Sequence, residues 1–311
     1  MKSQVRVLSR PLDAAGADGP HVEDEGHSMS IELIAIDLDG TLLTSGNVIS
    51  PGAMEVIRVA RETAKVHVVL ASARPPRSML PYYLRLNLEA PLVSYNGALV
   101  YDPRNHRVLL HRAIPLGTAR EVITRAREYM PGVVVSGEFL NRWYTDHVDT
   151  SLMAGAPTVS GSEPDGIGPI DQWLTKDVTK ILLGCPAEQL RDLARAIGSA
   201  LPHQVTILQM EACWLQIMHP TANKLAGLQA VAAEMGIARK NIMAIGDQVN
   251  DIEMLQWAGL GVAMSNAPDE VLAVADKVTD DNDADGVAKA IQSFVLLPHR
   301  KKSRGFPFLS R

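Results

Sequence analysis

The chain has 311 residues, of which 46% are hydrophobic, and a formal net charge of −5, as in a soluble globular protein of about two domains. This composition excludes wholesale disorder, and the surplus of 35 acidic over 30 basic residues argues against a dedicated nucleic-acid binder. No apolar run approaches the roughly 18 residues of a membrane span, so no membrane partner is expected. Two cysteines without a CxxC pair favour a reducing, cytoplasmic compartment.

Both ends of the chain are polar. Residues 1–29 are expected to form a flexible leader, because they show no hydrophobic periodicity and no apolar stretch of the kind found in signal peptides. Met29 precedes the first apolar run and is therefore a candidate for an alternative start. Residues 298–311 form a basic tail, for which a solvated segment is favoured over an anion-binding one.

Between these ends, short apolar segments alternate with helical patterns. The predicted strands are 31–36, 66–71, 91–95, 241–245 and 261–264, the last being the final strand. The predicted helices are 51–63 after the N-cap Ser50, a helix from the N-cap Asn223 to Gly236, 251–258, and one opened by Pro268. Strands that are almost continuously apolar and separated by helices predict an α/β fold with a doubly wound, parallel, Rossmann-like sheet.

The middle of the chain differs, because its strand-like segments are not followed by acidic residues. Its predicted elements are helix 119–129, strands 133–135, 142–144 and 180–183, helix 187–197, and a loop at 155–168. Residues 115–212 are therefore predicted to be an inserted α+β domain, between core segments 30–114 and 213–297.

Acidic residues cluster where two predicted strands end. The segment DLDGT, with Asp37 and Asp39, follows the first strand, and GDQVND, with Asp247 and Asp251, follows a late one. Ligands bind at the carboxyl ends of strands in open α/β sheets, so neighbouring strands would bring the first three carboxylates together, with Asp251 a further candidate. Crowded carboxylates repel each other, and Mg²⁺ with a substrate phosphate relieves the repulsion.

Two residues offer a complement for such a phosphate. Ser72 lies just past the second strand, where its hydroxyl and the nearby backbone N–H groups could bind phosphoryl oxygens. Lys224 lies in the first turn of a helix, where a cation gains little from the helix dipole, so an anionic partner is indicated. The alternative for Lys224 taken alone is a solvated side chain.

Four motifs occur in order along the chain. They are DxDGT at 37–41, Ser72-Ala73-Arg74, Lys224, and GDxxND at 246–251. Together they resemble the haloacid dehalogenase (HAD) superfamily of phosphohydrolases. The flanking segments SYNGA at 94–98, GVAM at 261–264 with Asn266-Ala267, and DGV at 285–287 resemble its Cof-type subfamily of sugar-phosphate phosphatases. The resemblance covers about residues 31 to 296 and implies a small phosphorylated metabolite as partner.

The resemblance implies catalytic roles for two aspartates. Asp37 would be the nucleophile that attacks phosphorus and forms an aspartyl-phosphate. Asp39 would be the general acid that protonates the leaving alkoxide, and then the base that activates water.

The resemblance also implies a ligand set. Asp37, the main-chain carbonyl of the Leu38–Asp39 region and Asp247 would bind Mg²⁺, with Asp251 bound directly or through water. The implied phosphate-binding residues are Ser72, Ala73, Lys224 and Asn250. The family usually has Gly where Ala73 stands, so the methyl group would crowd the loop if the backbone there required positive φ. It also often has Ser-Lys-Gly where this chain has Asn223-Lys224-Leu225.

The inserted domain matches the family's C2-type cap, a lid that excludes water and selects the substrate. Phe139, Asn141 and Trp143 alternate along one expected strand face, with Arg142 adjacent, and could contact the leaving group. The alternative is that these aromatic residues form the core of the cap. The candidate substrate-binding residues are Asn96, Gly97, Arg74, Arg142 and Trp143, although Arg74 is equally expected to pair with an acid.

Two other functions fit parts of the pattern. A phosphomutase of the same superfamily, similar to phosphomannomutase, would share DxDGT and a similar lid, but the Cof-like segments disfavour it. A non-catalytic binding protein on this scaffold is suggested only by Ala73. The sequence indicates neither the individual substrate nor an oligomeric state.

Overall fold

The computed structural model describes residues 30–149, 163–210 and 213–299. The predicted leader 1–29, residues 155–162 of the predicted loop and residues 300–311 of the basic tail lie outside the described residues. Within those described ranges, every helix is too short or too polar to cross a membrane.

The strands alternate with helices along most of the chain. The strands are β1 (Leu33–Ile36), β2 (His67–Leu70), β3 (Leu92–Ser94), β4 (Leu99–Asp102), β5 (Arg107–His111), β6 (Val134–Phe139), β7 (Arg142–Thr145), β8 (Gly166–Ile167), β9 (Lys180–Gly184), β10 (Thr206–Met210), β11 (Trp214–Met218), β12 (Ile242–Gly246), β13 (Leu260–Met264) and β14 (Lys277–Thr279). The helices are α1 (Pro51–Thr63), α2 (Pro76–Arg85), α3 (Leu116–Tyr129), α4 (Ile170–Trp173), α5 (Ala187–Ala200), α6 (Lys224–Met235), α7 (Ile252–Trp257), α8 (Asp269–Leu272) and α9 (Gly286–Ile291).

The first sheet is parallel throughout, in the order β14-β13-β12-β1-β2, so the predicted α/β fold with a parallel core is confirmed. Successive residues of β1 point to opposite faces. Ile34 and Ile36 pack towards α1 and α9, whereas Leu33 and Ala35 pack towards α6 and α7. Both faces are therefore covered, which explains why the strand sequences are apolar without alternation.

The register of β1 positions the loops that follow the central strands. Ile36 pairs with Ile245 of β12 on one side and with Leu70 of β2 on the other. The segments that follow β1, β12 and β2 therefore leave the sheet at the same edge.

Local capping determines where two helices begin. The Ser50 hydroxyl accepts a hydrogen bond from the Ala53 N–H (2.9 Å), and Pro51 occupies the first position of α1. The Asn223 side chain accepts a hydrogen bond from the Ala226 N–H (2.7 Å), so α6 begins at Lys224. At its other end, α6 stops at Gly236 in the left-handed conformation.

A second sheet has the order β10-β11-β9-β6-β7-β8 and is antiparallel except for the β7–β8 pair. Helices α3 and α5 cover one face, where residues such as Val135, Ile181 and Leu183 pack with Val122 and Leu193. This sheet continues to Met218, past residue 212.

Two sequence predictions about strands are wrong. β13 is not the last strand, because β14 follows it at the sheet edge; β14 is short and largely exposed, so it carries no apolar run. Phe139, Asn141 and Trp143 do not share a strand face, because the chain turns at Leu140 in a left-handed conformation. Phe139 packs in the hydrophobic cluster under α3 and α5, and Trp143 pairs with Glu138 on the other face.

Candidate active site

Three carboxylates meet at the carboxyl edge of the first sheet. Asp37 follows β1, Asp247 follows β12, and Asp251 ends the 3₁₀ turn before α7. One oxygen from each lies within 4.8 Å of the others, and all three side chains are buried. The predicted convergence of Asp37 and Asp247 on neighbouring strands is therefore what the structure shows.

Lys224 lies between two of these carboxylates. Its Nζ donates to Asp37 Oδ1 at 2.6 Å and to Asp251 Oδ1 at 2.7 Å, and the side chain is only 2% exposed. The solvated alternative for Lys224 is thereby excluded. Burial alone would lower the pKa of Lys224, but the Asp251 and Asp37 carboxylates outweigh burial and raise it.

The cluster contains three carboxyl groups and one ammonium group. Burial raises the pKa of Asp37 well above its usual range, although Lys224 partly opposes this, and Asp251 and Asp247 raise it further. Burial likewise raises the pKa of Asp247. A cation placed among the three carboxylates would favour their ionised forms.

Neighbouring groups fix the orientation of two carboxylates. Asp247 accepts hydrogen bonds from the Thr41 hydroxyl at 2.6 Å and from the Gln248 side chain at 2.7 Å. Asp251 Oδ2 accepts from the backbone N–H groups of Asp247 (3.1 Å) and Gln248 (3.0 Å). These bonds hold the oxygens in place before any ligand binds.

The donor set fits a hard divalent cation. Mg²⁺ takes oxygen ligands and is usually bound by one or two carboxylates together with water and substrate phosphate. Asp37, Asp247 and Asp251 supply three close carboxylates, and each keeps lone pairs beyond those used by the bonds above.

The carboxylate of Asp39 lies outside this cluster, contrary to the expectation that it converges with the others. Arg74 explains the difference: its Nε donates to Asp39 Oδ2 at 2.9 Å, and its Nη2 donates to Oδ1. Half of the Asp39 side chain is exposed. Of the two alternatives for Arg74, the structure shows pairing with an acid.

The loop after β2 is ordered without strain. Ser72 is buried, and its hydroxyl accepts from the Arg74 N–H at 3.1 Å. Its own N–H donates to the Val93 carbonyl at 2.9 Å. Ala73 does not adopt positive φ, so the condition under which its methyl group would crowd the loop is not met.

Two predicted site residues contact each other beside this loop. The Asn250 side chain donates to Asn96 Oδ1 at 2.9 Å. Asn96 adopts a left-handed φ of 51° and donates its N–H to the Ser72 carbonyl at 3.0 Å. Both amides therefore lie next to the loop that is predicted to bind phosphate.

Gly97 has a packing role. Its φ is +83°, and a Cβ there would lie 1.9 Å from the carbonyl oxygen of Asn223, the residue that caps α6. Only glycine allows the turn to approach the helix that carries Lys224 this closely.

We expect Gly97→Ala to destabilise the protein by more than about 2 kcal/mol, because the left-handed conformation alone costs roughly 1–2 kcal/mol and the backbone must also move. Gly236→Ala is the matched control, since Gly236 has φ +66° but open space around its Cβ position. Urea unfolding of the two variants compares the costs. Equal losses would show that the contact with Asn223 does not matter.

The remaining candidates, Arg142 and Trp143, lie on β7 of the second sheet. Arg142 is exposed, and the neighbouring Tyr144 side chain raises the pKa of its guanidinium. Trp143 is buried, and its Nε1 has no hydrogen-bond partner among the described residues.

Sequence reasoning missed a polar contact that joins the second sheet to α2 and to the turn after β3. Arg77 of α2 donates two hydrogen bonds of 2.7 Å to Glu138 of β6, and the Tyr95 hydroxyl donates to Glu138 at 3.0 Å. Glu138 is 1% exposed. The only available signal was a glutamate within an apolar strand, and nothing in the sequence pointed to Arg77.

Comparisons with known proteins agree with this geometry. A family model described as haloacid dehalogenase-like hydrolase matches residues 34–291. Over 271 residues, the chain is 29% identical to 5-amino-6-(5-phospho-D-ribitylamino)uracil phosphatase YitU of Bacillus subtilis, with 85% of this chain and 98% of that protein covered. Over 275 residues it is 30% identical to pyridoxal phosphate phosphatase YbhA of Escherichia coli, with 86% and 100% covered. A haloacid dehalogenase-like hydrolase from Bacteroides thetaiotaomicron has the same fold, with a TM-score of 0.78, 26% identity, and 85% of this chain and 99% of that one covered.

Proposed function

The chain belongs to the haloacid dehalogenase-like hydrolases and is a phosphatase of small phosphorylated metabolites, and from this premise we propose that it depends on Mg²⁺ and works through an aspartyl-phosphate on Asp37. The observation that carries the proposal is the buried cluster of Asp37, Asp247 and Asp251 around the Lys224 ammonium. The cluster combines a nucleophile, a cation for phosphoryl oxygens and a set of metal ligands.

In the first half-reaction, a carboxylate oxygen of Asp37 attacks phosphorus, and the bond from phosphorus to the leaving oxygen breaks. Asp39 donates a proton to that oxygen, so the product leaves as an alcohol. Lys224, Ser72 and Asn250 bind the phosphoryl oxygens. Transfer of this kind depends mainly on positioning and on neutralising charge.

In the second half-reaction, Asp39 takes a proton from water, and the resulting hydroxide attacks phosphorus. The bond between phosphorus and Asp37 breaks, which releases inorganic phosphate and restores the carboxylate. To act as acid and base, Asp39 must leave Arg74 and contact the substrate instead. Until then, the ion pair with Arg74 holds Asp39 beside the site.

The metal would be held by Asp37, Asp247 and the main-chain carbonyl of Asp39. Asp251 would bind it directly or through water. When bound, Mg²⁺ supplies positive charge that offsets the charge on the phosphoryl oxygens and on the aspartates.

We expect phosphate release from p-nitrophenyl phosphate and from a panel of sugar phosphates, pyridoxal phosphate and the phosphoribitylamino-uracil compound to require Mg²⁺ and to stop with EDTA. Mg²⁺ should also raise the melting temperature, because it binds the folded chain. Asp247→Asn should remove most of this shift. Asp192→Asn, which alters an exposed pair with Arg195, should keep it.

Two outcomes separate the parts of the proposal. Phosphate release that persists in EDTA would contradict the metal requirement while leaving the hydrolase intact. Absence of release from every monoester, with folded protein and Mg²⁺, would contradict the hydrolytic function itself.

We further propose that the predicted insert 115–212, together with β11 of the same sheet, forms a cap over the site. Contacts of Glu138 with Arg77 and Tyr95, which belong to the other part of the chain, support this arrangement. The cytoplasm is the proposed compartment, supported by Cys185 and Cys213, which are both free thiols.

A further inference from the structure

The two faces of the second sheet differ in polarity. One face is apolar and packs on α3 and α5. The opposite face, here called the inner face, carries buried polar side chains that are neighbours in the strand register. They are Ser136, Glu138, Thr145, Lys180 and Gln216. The inner face meets the first part of the chain through Arg77 and Tyr95.

Buried polar atoms without partners concentrate on the inner face. Among the described residues, four buried side-chain atoms lack a hydrogen-bond partner, and three of them belong to Trp143, Lys180 and Gln216. Native proteins satisfy nearly all buried polar groups, so a local excess of unsatisfied ones needs a physical reason. A polar ligand that contacts this face would supply the missing partners.

Of these three residues, Lys180 needs a partner most, because it is a cation. It is fully buried, and its Nζ has no hydrogen-bond partner in the described part of the chain. Its neighbour Glu138 is hydrogen-bonded to Arg77 and Tyr95 and not to Lys180. The ammonium lies instead over the Tyr95 ring, 4.9 Å from its centre.

Two charged neighbours act on Lys180. Glu138 favours its ammonium form but is already paired with Arg77, and the charge of Arg77 disfavours that form. Burial lowers the pKa of Lys180 to about 8, with Glu138 opposing and Arg77 adding to the effect. An anion that entered this place would be stabilised by a charge that has little water to screen it.

Lys180 also lies close to the phosphate-binding loop. Tyr95, beneath the ammonium, donates its N–H to the Arg74 carbonyl at 3.1 Å, and the next residue, Asn96, donates to the Ser72 carbonyl. Arg74 in turn holds Asp39, the proposed acid. Lys180 is therefore connected to this loop through Tyr95, the residue whose ring its ammonium contacts.

We propose that Lys180 binds an anionic group, a carboxylate or a second phosphate, on the part of the substrate that leaves as the alcohol. The transferred phosphoryl group is bound by Lys224, Ser72 and Asn250. Lys180, the second cation, therefore binds the other end of the substrate. This inference rests on the proposed phosphatase function and narrows its substrates to phosphate monoesters with a further negative charge.

Matched substrates test the inference. Glycerol 1-phosphate is compared with 3-phosphoglycerate, which has a carboxylate in place of the terminal hydroxymethyl group. Fructose 6-phosphate is compared with fructose 1,6-bisphosphate, which adds a phosphate. The parent should prefer at least one anionic member by about tenfold or more in kcat/KM, the size expected from a charge-assisted hydrogen bond. The preferred pair shows which anion is bound.

Lys180→Met should remove that preference. For the member of each pair without the extra anionic group, kcat/KM should stay within about threefold of the parent value, in keeping with loss of one interaction. Because the substitution removes an unpaired buried charge and keeps the chain length, the melting temperature should stay equal or rise. Lys240→Met, at an exposed lysine of the 3₁₀ turn before β12, is the control and should change neither value.

Three results would overturn the inference. They are a parent without preference in either pair, a Lys180→Met variant that loses activity equally on both members, and a fall in melting temperature that marks Lys180 as a structural residue. Failure of the proposed function differs from all three, since no monoester, charged or neutral, would then release phosphate.

Discussion

Asp37→Asn should lose at least about 10³-fold in kcat, equivalent to about 4 kcal/mol of transition-state stabilisation. The amide lacks the charged oxygen that attacks phosphorus, and no other buried carboxylate among the described residues stands in the same position at the end of β1. Steady-state phosphate release with p-nitrophenyl phosphate measures the loss. Acid-quenched samples analysed by mass spectrometry should show a phosphoryl group on the peptide with Asp37 in the parent and none in the variant.

The variant should fold, because the introduced amide keeps one oxygen for Lys224 and because Asp251 still pairs with the ammonium at 2.7 Å. Circular dichroism checks this. Activity within tenfold of the parent, in a folded sample free of deamidation, would show that Asp37 is not the nucleophile.

Lys224→Met should reduce both activity and stability. Loss of the ammonium removes a cation aimed at phosphoryl oxygens, which we expect to cost about 10²- to 10³-fold in kcat. It also leaves Asp37 and Asp251 as buried carboxylates without their partner, a change that typically costs about 3–5 kcal/mol. Urea unfolding without divalent cation measures the stability, and added Mg²⁺ should recover part of it.

Lys289→Met is the matched control for this substitution. Lys289 pairs with Asp280 at the surface, where both side chains are about half exposed, and such pairs contribute about 0–1 kcal/mol. If both variants lost the same small amount of stability, the buried ion pairs of Lys224 would have no special importance.

Much of the site could be predicted because it depends on features that are local in sequence. An apolar strand that ends in an aspartate places the carboxylate at the sheet edge. The parallel pairing of β1 with β12 then brings Asp37 and Asp247 close together. Helix α1 was predicted with its observed limits, because Ser50 and Pro51 favour a helix start through contacts with residues next to them in sequence.

The parts that escaped prediction depend on contacts between distant segments. Arg74 pairs with Asp39, which is 35 residues away in sequence, and Arg77 pairs with Glu138, which is 61 residues away. No periodicity encodes such pairs, since they depend on where the loop that carries Arg74 and the helix that carries Arg77 lie relative to distant segments of the chain. The edge strand β14 escaped for another reason: it has three residues and begins with Lys277, as edge strands that avoid unwanted pairing often do.

The central position of β1 has a consequence for biosynthesis. One of its neighbours, β12, is made only after the whole second sheet, and the Thr41–Asp247 bond joins residues 206 positions apart. A nascent chain that has not yet reached β12 holds β1 with an unpaired, apolar edge, the kind of surface that invites aggregation and chaperone binding. Neither half of the polypeptide can assemble the aspartate cluster alone, so premature termination yields a fragment without phosphatase activity.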